Sequence, residues 1–529
     1  MRMTTNKTAS RQFGLLAISI TACAAATATE KPNIVYLMAD DLQPFALGCY
    51  GNKDVKTPNI DSLAREGLVF DRCYATSAIC MPARATVLSG MYEFKTGCNF
   101  NTSYIRREAL RQSYPNILKK EAGYFIGFAG KWGIRTPPGY EYSKDYDMWG
   151  GFDGSGQGKY ETAGNSALKK YADKYPHVTG ALAAFAVDFI DKASKKKKPF
   201  CLSISFKAPH KPHRYVDPKT KHLYDGVTFA KRKNYGVEFR KKLPEQAKLG
   251  RQYAQWNEWA PNAYQKHIKI YYQLISGIDM AVGKIMAELK KRGLDKNTIV
   301  IFTSDNGYAL GSHGFQGKTL PYEEMSRIPL IILVPNSGSA GKRTKSLAAN
   351  IDIAPTILDF AGLTAPKNID GKTLKPLLKD QNAKIHDNIM LIQNWGPGKC
   401  SWNKAVSVVA DKWKYIFWCY GDKNIAPAEE LYNLDQDSLE TNNLIKTGAN
   451  PEILARLRKK YDANIGLWRS TCVDEYKPFS KMFDRNTPWN AKTFNGPTRK
   501  FATTTLYREV VGKECPYSAP TRKKRRQKK

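Results

Sequence analysis

Cys80-Met81-Pro82-Ala83-Arg84, running on into Ala85-Thr86-Val87-Leu88-Ser89-Gly90, sets a thiol and a guanidinium four residues apart. Pro82 fits the first turn of a helix and Gly90 a left-handed stop, so Cys80 falls where free backbone N–H groups and the helix dipole favour an anion. Two acidic pairs add hard ligands. Asn33 to Met38 reads as a strand buried on both faces that stops at Asp40-Asp41, and Thr298 to Thr303 does the same ahead of Asp305-Asn306. Each pair alone reads as an ordinary strand-end carboxylate or helix cap. Taken jointly, and with Cys80 present, Asp40, Asp41, Asp305 and Asn306 predict a site for one hard cation with oxygen ligands, Ca²⁺ by preference. Both pairs fall beyond the carboxyl ends of strands, where open α/β sheets bind their ligands.

Other strand ends deliver cations and imidazoles. Tyr124 to Ala129 leads into Gly130-Lys131-Trp132, and Phe200 to Phe206 leads into Ala208-Pro209-His210-Lys211-Pro212-His213. A Gly-rich stretch, Ser312-His313-Gly314-Phe315-Gln316-Gly317-Lys318, lies just downstream of Asp305. A lone Lys or His of this kind is usually a surface residue. Repetition after apolar strands predicts instead a set of groups gathered around an anion.

With Gly90-Met91-Tyr92 and Thr96-Gly97, the Cys80 segment resembles the signature of the type I sulfatases, members of the alkaline phosphatase-like superfamily, in which the Cys of the motif is oxidised to formylglycine. The resemblance implies that Asp40, Asp41, Asp305 and Asn306, completed by the modified residue 80, hold the metal. It implies that Arg84, Lys131 and Lys318 bind the sulfuryl oxygens and that His210, with Lys318, serves the leaving sugar oxygen. The hydrate at residue 80 attacks sulfur, and Asp305 takes its proton. His213 and His313 are expected at the substrate. One position departs from the family pattern: Gly133 stands where sulfatases usually carry a His two residues after the Lys. That leaves one step without an assigned base, with His213, His313 or water as the alternatives. The likeness continues through Asn350 to Asp359, Asp370 to Leu374, Asp411 to Ile416, Glu430 to Asp435 and Glu440 to Leu444, so that it covers about residues 31 to 470.

These groups need a scaffold. A chain of 529 residues is too long for one ordinary core, so at least two packed units are expected. Buried strands alternating with helical segments predict an α/β fold, a large and mainly parallel mixed sheet with helices on both faces, over residues 29–388. Helices are expected from Asp61 to Glu66, stopped by Gly67, and from Tyr264 to Arg292, stopped by Gly293. Residues 389–515 change to short strands, Ala405 to Ala410 and Lys414 to Trp418, and a helix near Ile453 to Tyr461, which predicts a small antiparallel sheet with one helix. The charged, aromatic stretch from Arg214 to Trp259 has weak periodicity and reads as a solvated loop near the site mouth.

At the amino end, Arg2, Lys7 and Arg11 precede apolar Phe13 to Ile20 and small residues to Ala28, the layout of a secretory signal peptide over 1–28. Ile20-Thr21-Ala22-Cys23 also resembles a lipobox, which would anchor lipid on Cys23. Export to the periplasm, to the outer membrane as a lipoprotein, or out of the cell is expected. Eight cysteines beyond Cys23 and Cys80 suit disulfides in such a compartment, with Cys400 and Cys419 as a short-loop pairing. Lys and Arg exceed Asp and Glu by 83 to 48, a net charge of +35, and the tail 516–529 is basic with no apolar residue to pack after Pro520. Such a surface captures polyanions. Helix-turn-helix, RNP and zinc-finger spacings do not occur, which argues against nucleic acid. The chain is expected to be an exported, Ca²⁺-dependent sulfatase acting on a sulfated carbohydrate, with a formylglycine-generating maturase as its partner. The alternatives are a phosphatase or phosphonate hydrolase of the same superfamily and a non-catalytic polyanion-binding protein.

Overall fold

A central sheet must carry Asp40 and Asp305 on neighbouring strands if the two acidic pairs are to meet, and the computed structural model of the chain contains such a sheet. It describes residues 1, 3, 31–100, 104–152, 156–394, 402–487 and 504–513. In chain order the strands of the large sheet are β1 (Asn33–Ala39), β2 (Leu68–Phe70), β4 (Phe125–Gly130), β5 (Met148–Gly151), β6 (Phe200–Ser205), β7 (Thr298–Ser304), β9 (Leu330–Leu333) and β10 (Arg343–Thr344). Their spatial order is β10-β2-β9-β7-β1-β6-β4-β5. β1 sits between β6 and β7 and is parallel to both, with Leu37 opposite Ile204 on one side and Phe302 on the other. Only the pairings of β9 with β2 and β7 are antiparallel. β3 (Cys73–Tyr74), β8 (Arg327–Ile328) and β11 (Ala348–Ala349) form a small separate sheet.

Alternate residues of β1 enter different cores, as a strand buried on both faces requires. Val35, Leu37 and Ala39 join the helices Val178–Ser194 and Tyr264–Lys291, whereas Ile34, Tyr36 and Met38 join Tyr114–Ala122 and Ile353–Phe360. Helix Tyr264–Lys291 buries the expected stripe Ile268, Tyr271, Ile275, Ile278, Val282, Ile285 and Leu289, and Gly293 follows it at φ +67°. The helix expected from Asp61 starts earlier, at Pro58, and ends at Glu66.

From Ile389 onward the chain forms a four-stranded antiparallel sheet of β12 (Ile389–Gln393), β13 (Ala405–Ala410), β14 (Trp413–Trp418) and β15 (Ala428–Asn433), in that order. Helix Pro451–Thr471 covers it with Leu457, Tyr461, Ile465 and Trp468. It outruns the expected span at its carboxyl end. Its start is capped by Asn450, whose side chain accepts from the N–H groups of Glu452 and Ile453. The described residues from Pro32 onward make one compact unit. No helix among the described residues is long and apolar enough to cross a membrane.

Two expectations are corrected. The cysteines within the described residues, Cys49, Cys73, Cys80, Cys98, Cys201, Cys419 and Cys472, all carry free thiols, so the expected disulfides do not form among them. Four of those outside the motif are buried and pack as small apolar residues. The stretch Arg214 to Trp259 is not a solvated loop: Tyr224, Phe229, Tyr235 and Trp259 are buried in the core beside helix Tyr264–Lys291. Of the expected signal peptide only Met1 and Met3 fall within the described residues, and Cys23, Cys400, Cys515 and the tail 516–529 fall outside them.

Candidate active site

The helix predicted around Cys80 spans Cys80–Ser89, with Cys80 as its first residue, and Gly90 closes it at φ +72° with its N–H on Thr86 O. All ten of its residues are buried, so Cys80 and Arg84 are held one turn apart inside the protein rather than on its surface. Asp40 leaves β1 with its N–H on Ala208 O at 3.1 Å, the strand end next to β6. Asp41 takes a left-handed backbone, φ 69°, and its carbonyl receives the Tyr271 hydroxyl at 2.7 Å. Asp305 leaves β7 with its N–H on Ala39 O at 3.1 Å. Its Oδ1 accepts the backbone N–H groups of Asp41 at 3.1 Å and Asn306 at 2.8 Å, which ties the two acidic pairs into one knot.

Ligand atoms of Asp40, Asp41, Cys80 and Asp305 all lie within 4.8 Å of one another. The Cys80 thiol donates to Asp40 Oδ1 at 3.2 Å, and Asn306 Nδ2 donates to Asp41 Oδ1 at 2.7 Å. Cations enclose the cluster. Arg84 Nε and its terminal nitrogen meet Asp305 Oδ2 at 2.9 and 2.8 Å. Another Arg84 nitrogen donates to Lys131 O at 2.7 Å and to Ser205 Oγ. Lys131 is ion-paired with Asp40, and Lys318 with Asp41. Lys318 Nζ also donates to Cys80 Sγ at 2.6 Å. His210 Nε2 stands 3.7 Å from Asp41 Oδ2, and its Nδ1 donates to Lys211 O at 2.6 Å in the neutral ring.

Burial would raise the pKa of Asp40, but Lys131, His210, Arg84 and Lys318 together hold it well below the usual carboxylate range. Asp41 is likewise kept low against burial, by Lys318 and His210. Asp305 behaves oppositely: burial and the Asp40 charge outweigh Arg84, Lys318 and Lys131 and push it up to about 6. Burial and Asp40 raise the Cys80 thiol to about 12, so the unmodified sulfur is protonated and a poor nucleophile at neutral pH. Burial drives His210 down to about 3 despite Asp40 and Asp41. Lys318 is held charged by Asp41, Cys80, Asp40 and Asp305, against burial.

The donor set suits a hard cation. Asp41 Oδ2 and Asn306 Oδ1 are buried without a hydrogen-bond donor, and both belong to residues of the oxygen cluster. Lysines neutralise part of the acidic charge, so a floor of oxygens able to hold a cation lies within ammonium and guanidinium walls. Such an arrangement receives a tetrahedral oxyanion beside residue 80.

Cys80, Arg84, Lys131, Lys318, Asp40, Asp41, Asp305 and Asn306 are thus brought together, with His210 at their edge. His213 lines a cavity of about 760 Å³ together with His210, Glu258 and His267. Burial, helped by His267, lowers its pKa to about 4. His313 is not brought to the site. It is fully buried against Tyr322, with Nε2 3.1 Å from Asn234 Nδ2 and 3.8 Å from Glu324, in a separate polar cluster with Glu440. Gly133 does face the site: a Cβ on it would lie 3.1 Å from Arg84 Cδ and 3.3 Å from Lys131 Cε. Two neighbours escaped the sequence reading. Ser205 ends β6 beneath Arg84, and Lys207, two residues on, is buried beside Tyr160. The only sequence signal for Lys207 was its place directly after an apolar strand.

Comparison with known proteins agrees with this geometry. The profile of the family described as Sulfatase matches residues 32–363, and that described as N-sulphoglucosamine sulphohydrolase, C-terminal, matches residues 311–465. The chain is 29% identical over 528 residues to an N-acetylglucosamine-6-O-sulfatase of Bacteroides thetaiotaomicron, covering 85% of this chain and 90% of the relative. It is 27% identical to an ulvan-active sulfatase of Formosa agariphila over 480 residues, 87% of this chain and 86% of the other. A solved structure described as a complex with its substrate D-glucosamine-2-N,6-O-disulfate aligns with a TM-score of 0.70 at 25% identity, covering 83% of this chain and 99% of that one.

Proposed function

The chain belongs to the sulfatase family, the type I sulfuric ester hydrolases of the alkaline phosphatase-like superfamily, and from that premise we propose that it cleaves a 6-O-sulfate ester on an amino sugar of a sulfated glycan. The observation that carries the reading is the meeting of Cys80 with Asp40, Asp41 and Asp305 inside a wall of Arg84, Lys131 and Lys318. The named activities of its relatives on glucosamine sulfates and ulvan support the substrate class.

Cys80 Sγ stands where an oxygen of a formylglycine hydrate would be; after that oxidation residue 80 supplies a hydroxyl nucleophile to sulfur. Asp40, Asp41, Asp305 and Asn306 would hold a Ca²⁺ ion, which would supply positive charge to the reacting oxygens. Everything else comes from the chain. Asp305, fixed by Arg84 and by the backbone N–H groups of Asp41 and Asn306, takes the proton of the nucleophile. Arg84, Lys131 and Lys318 neutralise sulfuryl oxygens, each worth about 3–4 kcal/mol by analogy with an oxyanion-hole donor. His210 is neutral, with its proton on Nδ1. A bound sulfate ester adds negative charge beside the ring, which favours a proton on Nε2 and readies it for the leaving sugar oxygen. Gly133 offers no imidazole there and His313 is held in its own cluster, so His213 or water is the base left for the final step. We also propose export, on the Arg2 to Ala28 pattern.

The test is steady-state hydrolysis of N-acetylglucosamine 6-sulfate and of an aryl sulfate by protein co-expressed with a maturase, alongside the matching phosphate esters. Sulfate esters should be turned over with the higher kcat/KM. A preference for phosphate would contradict the proposal.

A further inference from the structure

Lys207 is a buried cation with no carboxylate partner among the described residues. It is 6% exposed, its Nζ donates to Gln157 O at 3.0 Å, and it lies 5.4 Å from the centre of the Tyr160 ring. No carboxylate among the described residues pairs with it. An ammonium has three donors, and one carbonyl uses one of them. Burial without an opposite charge is costly, so a buried lysine of this kind normally faces an anion. Burial indeed lowers its pKa, with only the fields of Asp40, Cys80 and Asp41 acting in opposition.

The space it faces is a cavity of about 460 Å³ lined also by Lys159, Arg214, Glu161, Tyr160 and Tyr215. Of the charged groups there, three are cations and one, Glu161, is a carboxylate. The Arg214 guanidinium lies 5.3 Å from the Tyr215 ring centre, and Tyr215 is 40% exposed. Backbone links join the cavity wall to the reaction centre. Ala208, next to Lys207, accepts the Asp40 N–H, and Tyr160 donates its hydroxyl to His210 O at 2.5 Å. A sugar whose sulfate ester sits at Cys80 therefore has a cationic chamber beside it.

We propose that this cavity is a second anion subsite: it takes a sulfate or carboxylate carried by the glycan next to the ester being cleaved, with Lys207 as the direct contact and Arg214 and Lys159 strengthening the field. The subsite rests on the glycan reading above and narrows it to multiply charged sugars.

The experiment measures kcat/KM for N-acetylglucosamine 6-sulfate, for glucosamine 2-N,6-O-disulfate and for a 6-sulfated disaccharide bearing a uronate. It compares wild type with Lys207→Met and Lys207→Arg, and runs 4-nitrophenyl sulfate in parallel. Wild type should favour a dianionic sugar over the monosulfate by about 10- to 100-fold, the range of one charge-assisted hydrogen bond. Lys207→Met should bring that ratio near one, and Lys207→Arg should keep most of it. The better dianionic substrate distinguishes sulfate from carboxylate. Absence of a preference in wild type, or an unchanged ratio in Lys207→Met, overturns the subsite. Equal losses on the aryl sulfate and all sugars also overturn it, because Lys207 would then serve the reaction centre itself. If only the aryl sulfate is turned over, the amino-sugar reading fails, and inhibition of that reaction decides the subsite. Stronger inhibition by dianionic than by monosulfated sugar, lost in Lys207→Met, supports it; equal inhibition overturns it.

Discussion

Adding a single methyl group at Gly133 should damage catalysis far more than it damages the fold. The residue sits at φ +64°, a left-handed backbone that costs an L side chain about 1–2 kcal/mol. Its Cβ would press on Arg84 Cδ at 3.1 Å and Lys131 Cε at 3.3 Å. Neither stem can swing away: Asp305, Lys131 O and Ser205 fix Arg84, and Asp40 fixes Lys131. Retreat of Gly133 is blocked as well, since Gly156 packs so closely that a Cβ there would meet Gly133 N at 2.7 Å. A total of about 2 kcal/mol, set against an unfolding entropy of roughly 2.1 cal/mol/K per residue over some 480 residues, lowers Tm by only about 2 °C. Displacing the two cations proposed to bind sulfate by part of an ångström should cost roughly 10- to 100-fold in kcat/KM. Thermal unfolding and aryl sulfate kinetics of Gly133→Ala read both effects. Gly133→His adds the same strain with more bulk, so it should be slower than wild type even though it installs the imidazole common in the family. Wild-type turnover in Gly133→Ala, or faster turnover in Gly133→His, refutes the reasoning.

Three further outcomes are expected. A chelator should abolish turnover and lower Tm, and Ca²⁺ should restore both better than Mg²⁺, whose tighter octahedron suits the site less; stoichiometric zinc would contradict this. Reductant should leave Tm unchanged, because the described thiols are already free, and a fall of several degrees would reveal a disulfide that matters. Glu440 and Glu323 share the buried ammonium of Lys414, each at 2.8 Å, and burial holds a proton on Glu440 up to about pH 8 instead of 4.5. Stability from that proton is full below pH 4.5 and is lost as pH rises through 8, so Tm should fall between pH 5 and 8 and fall less in Glu440→Gln; parallel curves would dismiss the assignment.

Much of the site was legible because its residues follow buried strands. An apolar run such as Asn33 to Met38 has one plausible place in an α/β protein, and Asp40-Asp41 then has one plausible end of the sheet. Pro82 and Gly90 marked the Cys80 helix through backbone chemistry that is local. What was not legible depends on partners distant in sequence. His313 looked like a site residue from its Gly-rich setting, yet Asn234 and Glu324 claim it. Lys207 looked like any lysine until burial with no carboxylate partner among the described residues set it apart. The β15 strand is rich in Glu, a poor strand signal, and Glu430 is buried there only because Tyr322, Trp418 and Tyr432 donate to it. Cysteine parity carried no spatial information at all.

The chemistry proposed at residue 80 is tested most directly by mass spectrometry of the Cys80 peptide, taken from protein made with and without a formylglycine-generating maturase and assayed in parallel for sulfate-ester turnover. The account predicts an aldehyde or its hydrate in place of the thiol, in a fraction that rises in proportion to turnover, and no turnover in Cys80→Ala. Full turnover by protein whose Cys80 remains a thiol, or by Cys80→Ala, would contradict it.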